Sequence, residues 1–180
     1  MARLKIDGYG QLELNNVAFR RDGRVEAQCR LDETDFAEVP AENGMLLAVD
    51  NVTRTIKFAK DDSLPVALNY TTEHMYDERK VGLKDFKLGI EDGFYPRLGY
   101  LAIGDKFTTN CIDTEMELDA LKEATTVEAL QGTPLYGGIS ETGAIAVSTT
   151  EPEVGPVLLA VQGTTMPDGQ FAIKFQVKKA

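Results

Sequence analysis

"GPVLLAVQGTTMPDGQFAIKFQVKKA", residues 155–180, is the stretch that decides the fold. Phe171, Ile173, Phe175 and Val177 alternate with Ala172, Lys174, Gln176 and Lys178. Successive strand side chains point to opposite faces, so this pattern buries one face and wets the other. Val157, Leu159 and Val161 supply the matching arm. "MPDG", Met166 to Gly169, is the turn between them, because Asp-Gly provides the positive φ a tight hairpin wants. The chain thus closes on a β-hairpin whose apolar face needs a second layer to cover it.

Working outward, the same chemistry recurs. "GAIAVSTT" reads as a strand after a turn at Glu141-Thr142-Gly143. "GFYPRLGYLAIGDKFTTNCI", residues 93–112, reads as a strand, a turn at Gly104-Asp105 and a second strand. Its Phe94, Tyr95, Leu98, Tyr100, Leu101, Ile103 and Phe107 look like framework. Towards the N-terminus, Leu12 and Leu14 alternate, and Val17 and Phe19 follow in a shifted phase that predicts a bulge near Asn15-Asn16. "RRDG", Arg20 to Gly23, predicts a hairpin turn into a half-buried strand marked by Val25, Ala27, Cys29 and Leu31. Asn43-Gly44 gives a further hairpin signal. Ile56 and Phe58 share one strand face, and "LPVALNYTTEHMY" holds another strand. "DERKVGLKDFKLGIEDGFYP" reads as a loop crossing with short strands.

Only "TEMELDALKEATTVEALQG" carries helical signals. Thr114 with Glu117, and Thr125 with Glu128, fit capping boxes. Leu118 with Leu121 and Val127 with Leu130 share helix faces, and Gly132 followed by Pro134 ends the second helix. Two short helices are expected, over 115–124 and 126–131. The fold class is therefore mainly β: hairpin-rich antiparallel β-sandwich or barrel domains with two short helices. Loop chemistry clusters at Ile90 to Pro96, which divides the chain into an N-terminal β-domain, 1–92, and a C-terminal β-domain, 93–180, carrying the helices; a single merged β-domain is the alternative.

Composition bounds the function. The 180 residues are 43% hydrophobic with 16 Gly and 7 Pro, ordinary for a globular chain. No apolar run approaches the roughly 20 residues of a membrane helix. The first residues have no apolar signal-like core, which points to synthesis in a cytosol. The net charge is −10. Residues 1–90 hold 13 Lys and Arg against 16 Asp and Glu, and residues 91–180 hold 6 against 13. Such a surface repels phosphate backbones and disfavours nucleic acid; a cationic protein surface is a more natural partner for the acidic half.

Candidate chemistry is sparse. His74 is the only histidine, and a nucleophile–His arrangement must use it; its setting, "TTEHMYDE", reads as a strand edge. Cys29 and Cys111 are the only cysteines and sit in apolar patterns, as two reduced, buried thiols would. Asp113, Glu115, Glu117 and Asp119 suggest calcium, but the EF-hand pattern is missing and acids suit a helix start. No zinc spacing or phosphate-loop pattern is present. Two glycosylation sequons, at Asn51 and Asn69, read as chance matches. No catalytic residue, metal site or cofactor is therefore expected.

"YPRLGYLAIGDKFTTN", Tyr95 to Asn110, resembles a phrase of small structural proteins of tailed bacteriophages, of the capsid decoration, cement or head-stabilising type. "EHMYDERKVGLKDFKL" upstream, and "TPLYGGISETGAI" and "TTMPDGQFAIKFQVKK" downstream, are similar in the same way, so the resemblance spans 70–180. It implies a non-enzymatic virion component, assembled in the host cytoplasm and sitting on the capsid surface. The implied partner is the major capsid protein, with self-association, a trimer included; no membrane is involved. Another virion role, in the tail or a head-fibre base, and a surface glycan-binding module are the alternatives. Tyr and Arg concentrate at interface hot spots, which nominates Tyr9, Arg20, Arg21, Tyr76, Arg79, Lys80, Tyr95 and Arg97 as contact residues. The competing reading packs the tyrosines in the core and pairs the cations with Asp77, Glu78 and Asp85.

Overall fold

The computed structural model describes residues 2–3, 10–71, 87–90, 93, 95–166 and 169–180. The elements in chain order are β1 (Ala2–Arg3), β2 (Leu12–Asn16), α1 (Phe19–Asp22), β3 (Val25–Glu26), β4 (Arg30–Leu31), β5 (Ala41–Glu42), β6 (Leu46–Asp50), β7 (Thr55–Phe58) and β8 (Val66–Asn69). They continue as β9 (Lys87–Leu88), β10 (Leu98–Gly99), β11 (Lys106–Thr109), β12 (Ile112–Thr114), α2 (Leu118–Ala124), α3 (Val127–Gly132), β13 (Tyr136–Gly138), β14 (Ile145–Ser148), β15 (Val157–Thr165) and β16 (Phe171–Lys179). The chain is mainly β, as its alternation predicts.

Two sheets carry the fold. The larger runs β1-β12-β14-β13-β15-β16-β11-β2, and the smaller β3-β10-β8-β6-β7-β4; β5 pairs separately with β9. The smaller sheet has an unusual feature. Its two edge strands, β3 and β4, are consecutive in the chain and only Ala27, Gln28 and Cys29 lie between them. Six flat strands would put those edges about 24 Å apart, whereas the chain from Glu26 to Arg30 reaches about 14 Å at most. The sheet therefore curls on itself like a barrel, and residues 25–31 serve both edges. Cys29, Leu31, Leu47, Val49, Ile56, Ala67 and Leu98 form one buried cluster with Met45 and Phe36 on its inner side. The alternate residues Leu46 and Leu68 face the other way and pack with Phe107, Ile112, Ile145, Leu158, Ile173 and Phe175 of the larger sheet. β6 is thus buried on both faces, which is why "MLLAV" is apolar at every position.

The boundary at 92/93 is crossed by strand pairing in both directions. β2 pairs with β11, and β10 pairs with β3 and β8. Several local expectations change. "RRDG" is no hairpin: Phe19–Asp22 is a helical turn, a third short helix, and Gly23 caps it at φ 73 with its N–H on the Phe19 carbonyl. Asp-Gly supplies the same left-handed conformation to a helix end as to a hairpin. Asn43-Gly44 also turns the chain, with Gly44 at φ 88, but β5 pairs with β9 and not with β6. The pairing is not wholly antiparallel. β12 runs parallel to β14, reached through α2, α3 and β13, a crossover long enough for parallel strands; β4 runs parallel to β7 where the curled sheet closes.

The closing hairpin β15–β16 is present, but its inner residues on β15 are Val157, Leu158 and Ala160, with Leu159 and Val161 half-buried. Register shifts beside Val157 and between Ala160 and Gln162 move the phase. The bulge near Asn15 is present: Lys106 faces Asn16 while Thr108 faces Glu13, one extra residue on β2. α2 and α3 begin later than the capping boxes predict. Thr114 belongs to β12, and Glu117 is the first N-cap, with no side-chain bond. Thr126 caps α3 by accepting from the Ala129 N–H, while buried Thr125 donates back to the Leu121 carbonyl at 2.7 Å. The Thr125 carbonyl accepts from the Gly163 N–H at 2.8 Å, so the helices cover part of the β15 edge that β13 leaves open.

Candidate protein-interaction surface

Four of the eight nominated contact residues, Tyr9, Tyr76, Arg79 and Lys80, lie outside the described residues, as does His74. The other four are exposed. Arg20 and Arg21 stand on α1, whose Phe19 is fully buried against Tyr70, ring centroids 5.0 Å apart. Tyr95 and Arg97 lie on the extended segment entering β10. The Arg97 N–H donates to Thr71 Oγ1 at 2.8 Å and its carbonyl accepts from the Tyr70 N–H at 3.0 Å. Thr71 in turn donates to Asn69 Oδ1, and Asn69 Nδ2 donates to the Glu42 carbonyl at 2.8 Å. A buried polar chain thus holds the backbone that presents these two side chains.

Tyr95 is not alone. The Arg30 guanidinium stacks 5.6 Å from its ring centroid, and Arg30 Nε donates to the Tyr95 hydroxyl at 3.2 Å. The pair borders an open groove of about 590 Å³ along the closing seam of the curled sheet, lined also by Gln28, Asp32, Thr53 and Arg54. The arrangement can stack on a partner and donate hydrogen bonds in a fixed direction, as guanidinium groups on aromatic rings do. Arg30 and Arg54, which line this groove, were not among the nominated residues. The available signal was Arg30's place on the polar face of the Cys29–Leu31 alternation, which says exposed but not where. α1 and the Tyr95–Arg97 segment are separated along β3 and β10. Arg20 and Arg21 lie towards the Val25–Gly99 pair, and Arg97 and Tyr95 beyond Leu98 and Glu26.

Other chemistry resolves into framework. Cys29 and Cys111 are free and buried. Burial, with Glu26 adding to it, pushes the Cys29 thiol up to about 11, so it stays protonated at neutral pH. Asp113 is buried in β12, where Thr142 donates to its Oδ2. Glu115, Glu117 and Asp119 are exposed before and within α2. Of the four acids read as a helix start, Asp113 thus lies in the core and the other three face solvent. Among the described residues, no group of three or more His, Cys, Asp or Glu is placed to hold a metal ion, and no helix is long and apolar enough to cross a membrane.

No protein-family model matches the chain, and no curated protein or solved structure matches it.

Proposed function

We propose that this chain is a virion structural protein of the capsid decoration, or cement, type: a non-enzymatic protein that binds the outside of a phage capsid and stabilises it. The observation that carries the reading is the likeness of Tyr95–Asn110 and its flanking phrases to such proteins. The folded position of that phrase is in keeping with the reading. Leu98 and Gly99 lie in the curled sheet, Lys106–Thr109 lie inside the larger one, and Tyr95 and Arg97 are exposed at the entrance. A phrase that joins two sheets and displays Tyr and Arg at one end suits a rigid body that grips another protein. The partner is the major capsid protein, with copies of the chain itself as neighbours, and the site of action is the virion surface after assembly in the host cytoplasm. Many copies on one shell add up by avidity even where each contact is modest.

The test is co-sedimentation with undecorated expanded capsids and with unexpanded procapsids, counting copies bound. Saturation at a fixed ratio to the major capsid protein, with a raised capsid melting temperature, is the expected result. Absence of binding to either form rejects the reading and shifts the proposal to a tail component or a glycan-binding module.

A further inference from the structure

Single exposed aliphatic residues are ordinary on protein surfaces. Two here are not ordinary in their setting. Val52 is 94% exposed and Ile103 75%, far above the next large apolar residues among those described. Each sits on a tight turn clamped by an aspartate. Asp50 Oδ1 accepts from the Val52 and Thr53 N–H groups at 3.0 and 3.1 Å. Asp105 Oδ2 accepts from the Ala102 N–H at 2.9 Å, the Asp105 N–H returns to the Ala102 carbonyl, and Gly104 and Asp105 are laddered to Val177. Gly104 takes φ 90, so the turn around Ile103 needs that glycine. A side chain on such a turn is pre-positioned and loses little freedom on binding.

The two turns share one end of the curled sheet. β6 ends at Asp50, β8 begins at Val66 and β10 ends at Gly99, and these three strands are neighbours. Gly99 and Leu46 both pair with Leu68, so Gly99 and Asp50 lie two strand spacings, about 10 Å, apart across the sheet, and four residues apart along it, the same number by which Ile103 follows Gly99. α1 joins the same end: Asp105 Oδ1 accepts from the Ala18 N–H at 2.8 Å, and the Tyr100 N–H donates to the Arg24 carbonyl at 3.0 Å. The helix that carries Arg20 and Arg21 thus begins against the base of the Ile103 turn, and Arg54 follows Val52 on its own turn, between that turn and the Tyr95 groove that it also lines. In a chain with 29 acids against 19 cations, Arg20, Arg21 and Arg54 form no ion pair among the described residues.

We propose that this end, with Val52 and Ile103 on clamped turns beside Arg20, Arg21 and Arg54, is a docking face for a protein surface offering apolar sockets rimmed by carboxylates. Resting on the function proposed above, that surface belongs to the major capsid protein. The apolar tips supply contact area once desolvated, and the unpaired guanidinium groups select an acidic rim.

The test compares wild type, Val52→Asp/Ile103→Asp, Arg20→Glu/Arg21→Glu and the control Val127→Asp, an exposed position on α3. All are measured by co-sedimentation with undecorated expanded capsids, after thermal melts show each variant folded. The expected result is capsid affinity lowered about tenfold or more by each of the two double variants, with Val127→Asp unchanged. Equal binding by wild type and both double variants overturns the docking face while the decoration reading stands. Failure of the wild type itself to bind overturns the decoration reading, and the docking face falls with it.

Discussion

Gly99→Ala tests the packing that seats α1 on the curled sheet. Gly99 has no positive φ, so alanine meets no backbone strain there. A Cβ at this position would stand 2.5 Å from three atoms of the Phe19 ring. The ring has no retreat, because Phe19 is fully buried and packs on Tyr70 at 5.0 Å. Overpacking of this kind costs about 1–3 kcal/mol, offset by the roughly 0.5–1 kcal/mol that alanine gains over glycine in a strand. The net expectation is a loss of about 1 kcal/mol. It is read as a lower urea midpoint with unchanged slope, or a melting temperature lower by roughly 2–4 °C for a chain of this size. Shrinking the obstacle should return part of the loss. Phe19→Leu alone destabilises, but combined with Gly99→Ala it should cost less than the sum of the two by about 1 kcal/mol. Strict additivity in that cycle, or an unchanged midpoint for Gly99→Ala, would refute the packing argument.

Further expectations concern the polar clamps and the thiols. Asp105→Ala removes the buried acceptor of the half-buried Ala18 and Ala102 N–H groups and should cost about 3 kcal/mol in urea unfolding; a loss below half that means water replaces the carboxylate. Hydrogen bonds from Thr53, then Val52, with Lys57 adding to them, hold Asp50 down to about 2. Its folded value lies below the unfolded one, so the clamp stabilises the turn above pH ~4 and is lost as pH falls through about 2. A carboxyl NMR titration with its midpoint at the ordinary aspartate value would rule the clamp out. Both buried thiols should resist a disulfide reagent in the native protein and react fully in guanidinium; rapid native reaction at either would contradict their burial.

The alternation of Phe171–Val177 made β16 legible because each inward residue is apolar and most outward ones are polar. β15 defeated the same reading. "VLLAV" is apolar throughout, so nothing in it marks the bulges that turn Leu158 and Ala160 inward. At "RRDG" the local chemistry was right and the element wrong: Gly23 takes its positive φ as a helix cap. Curling of the smaller sheet was out of reach, since it follows from β3 and β4 lying on opposite edges, a long-range fact. Exposure was legible for the four nominated residues that the structure describes. Tyr95 and Arg97 are exposed as nominated. Ile103, read as framework, is a solvent-facing turn tip, because apolar character predicts burial only on average. Arg30 and Arg54 acquire meaning only beside Tyr95 and Val52.

The central claim is that this chain sits on a capsid, and the most direct measurement is a cryo-EM reconstruction of undecorated expanded capsids incubated with the purified protein. The account predicts added density at regular surface positions, with the turns at 51–54 and 102–105 against the shell. A reconstruction identical to the bare capsid, at protein concentrations well above those used for sedimentation, would contradict it.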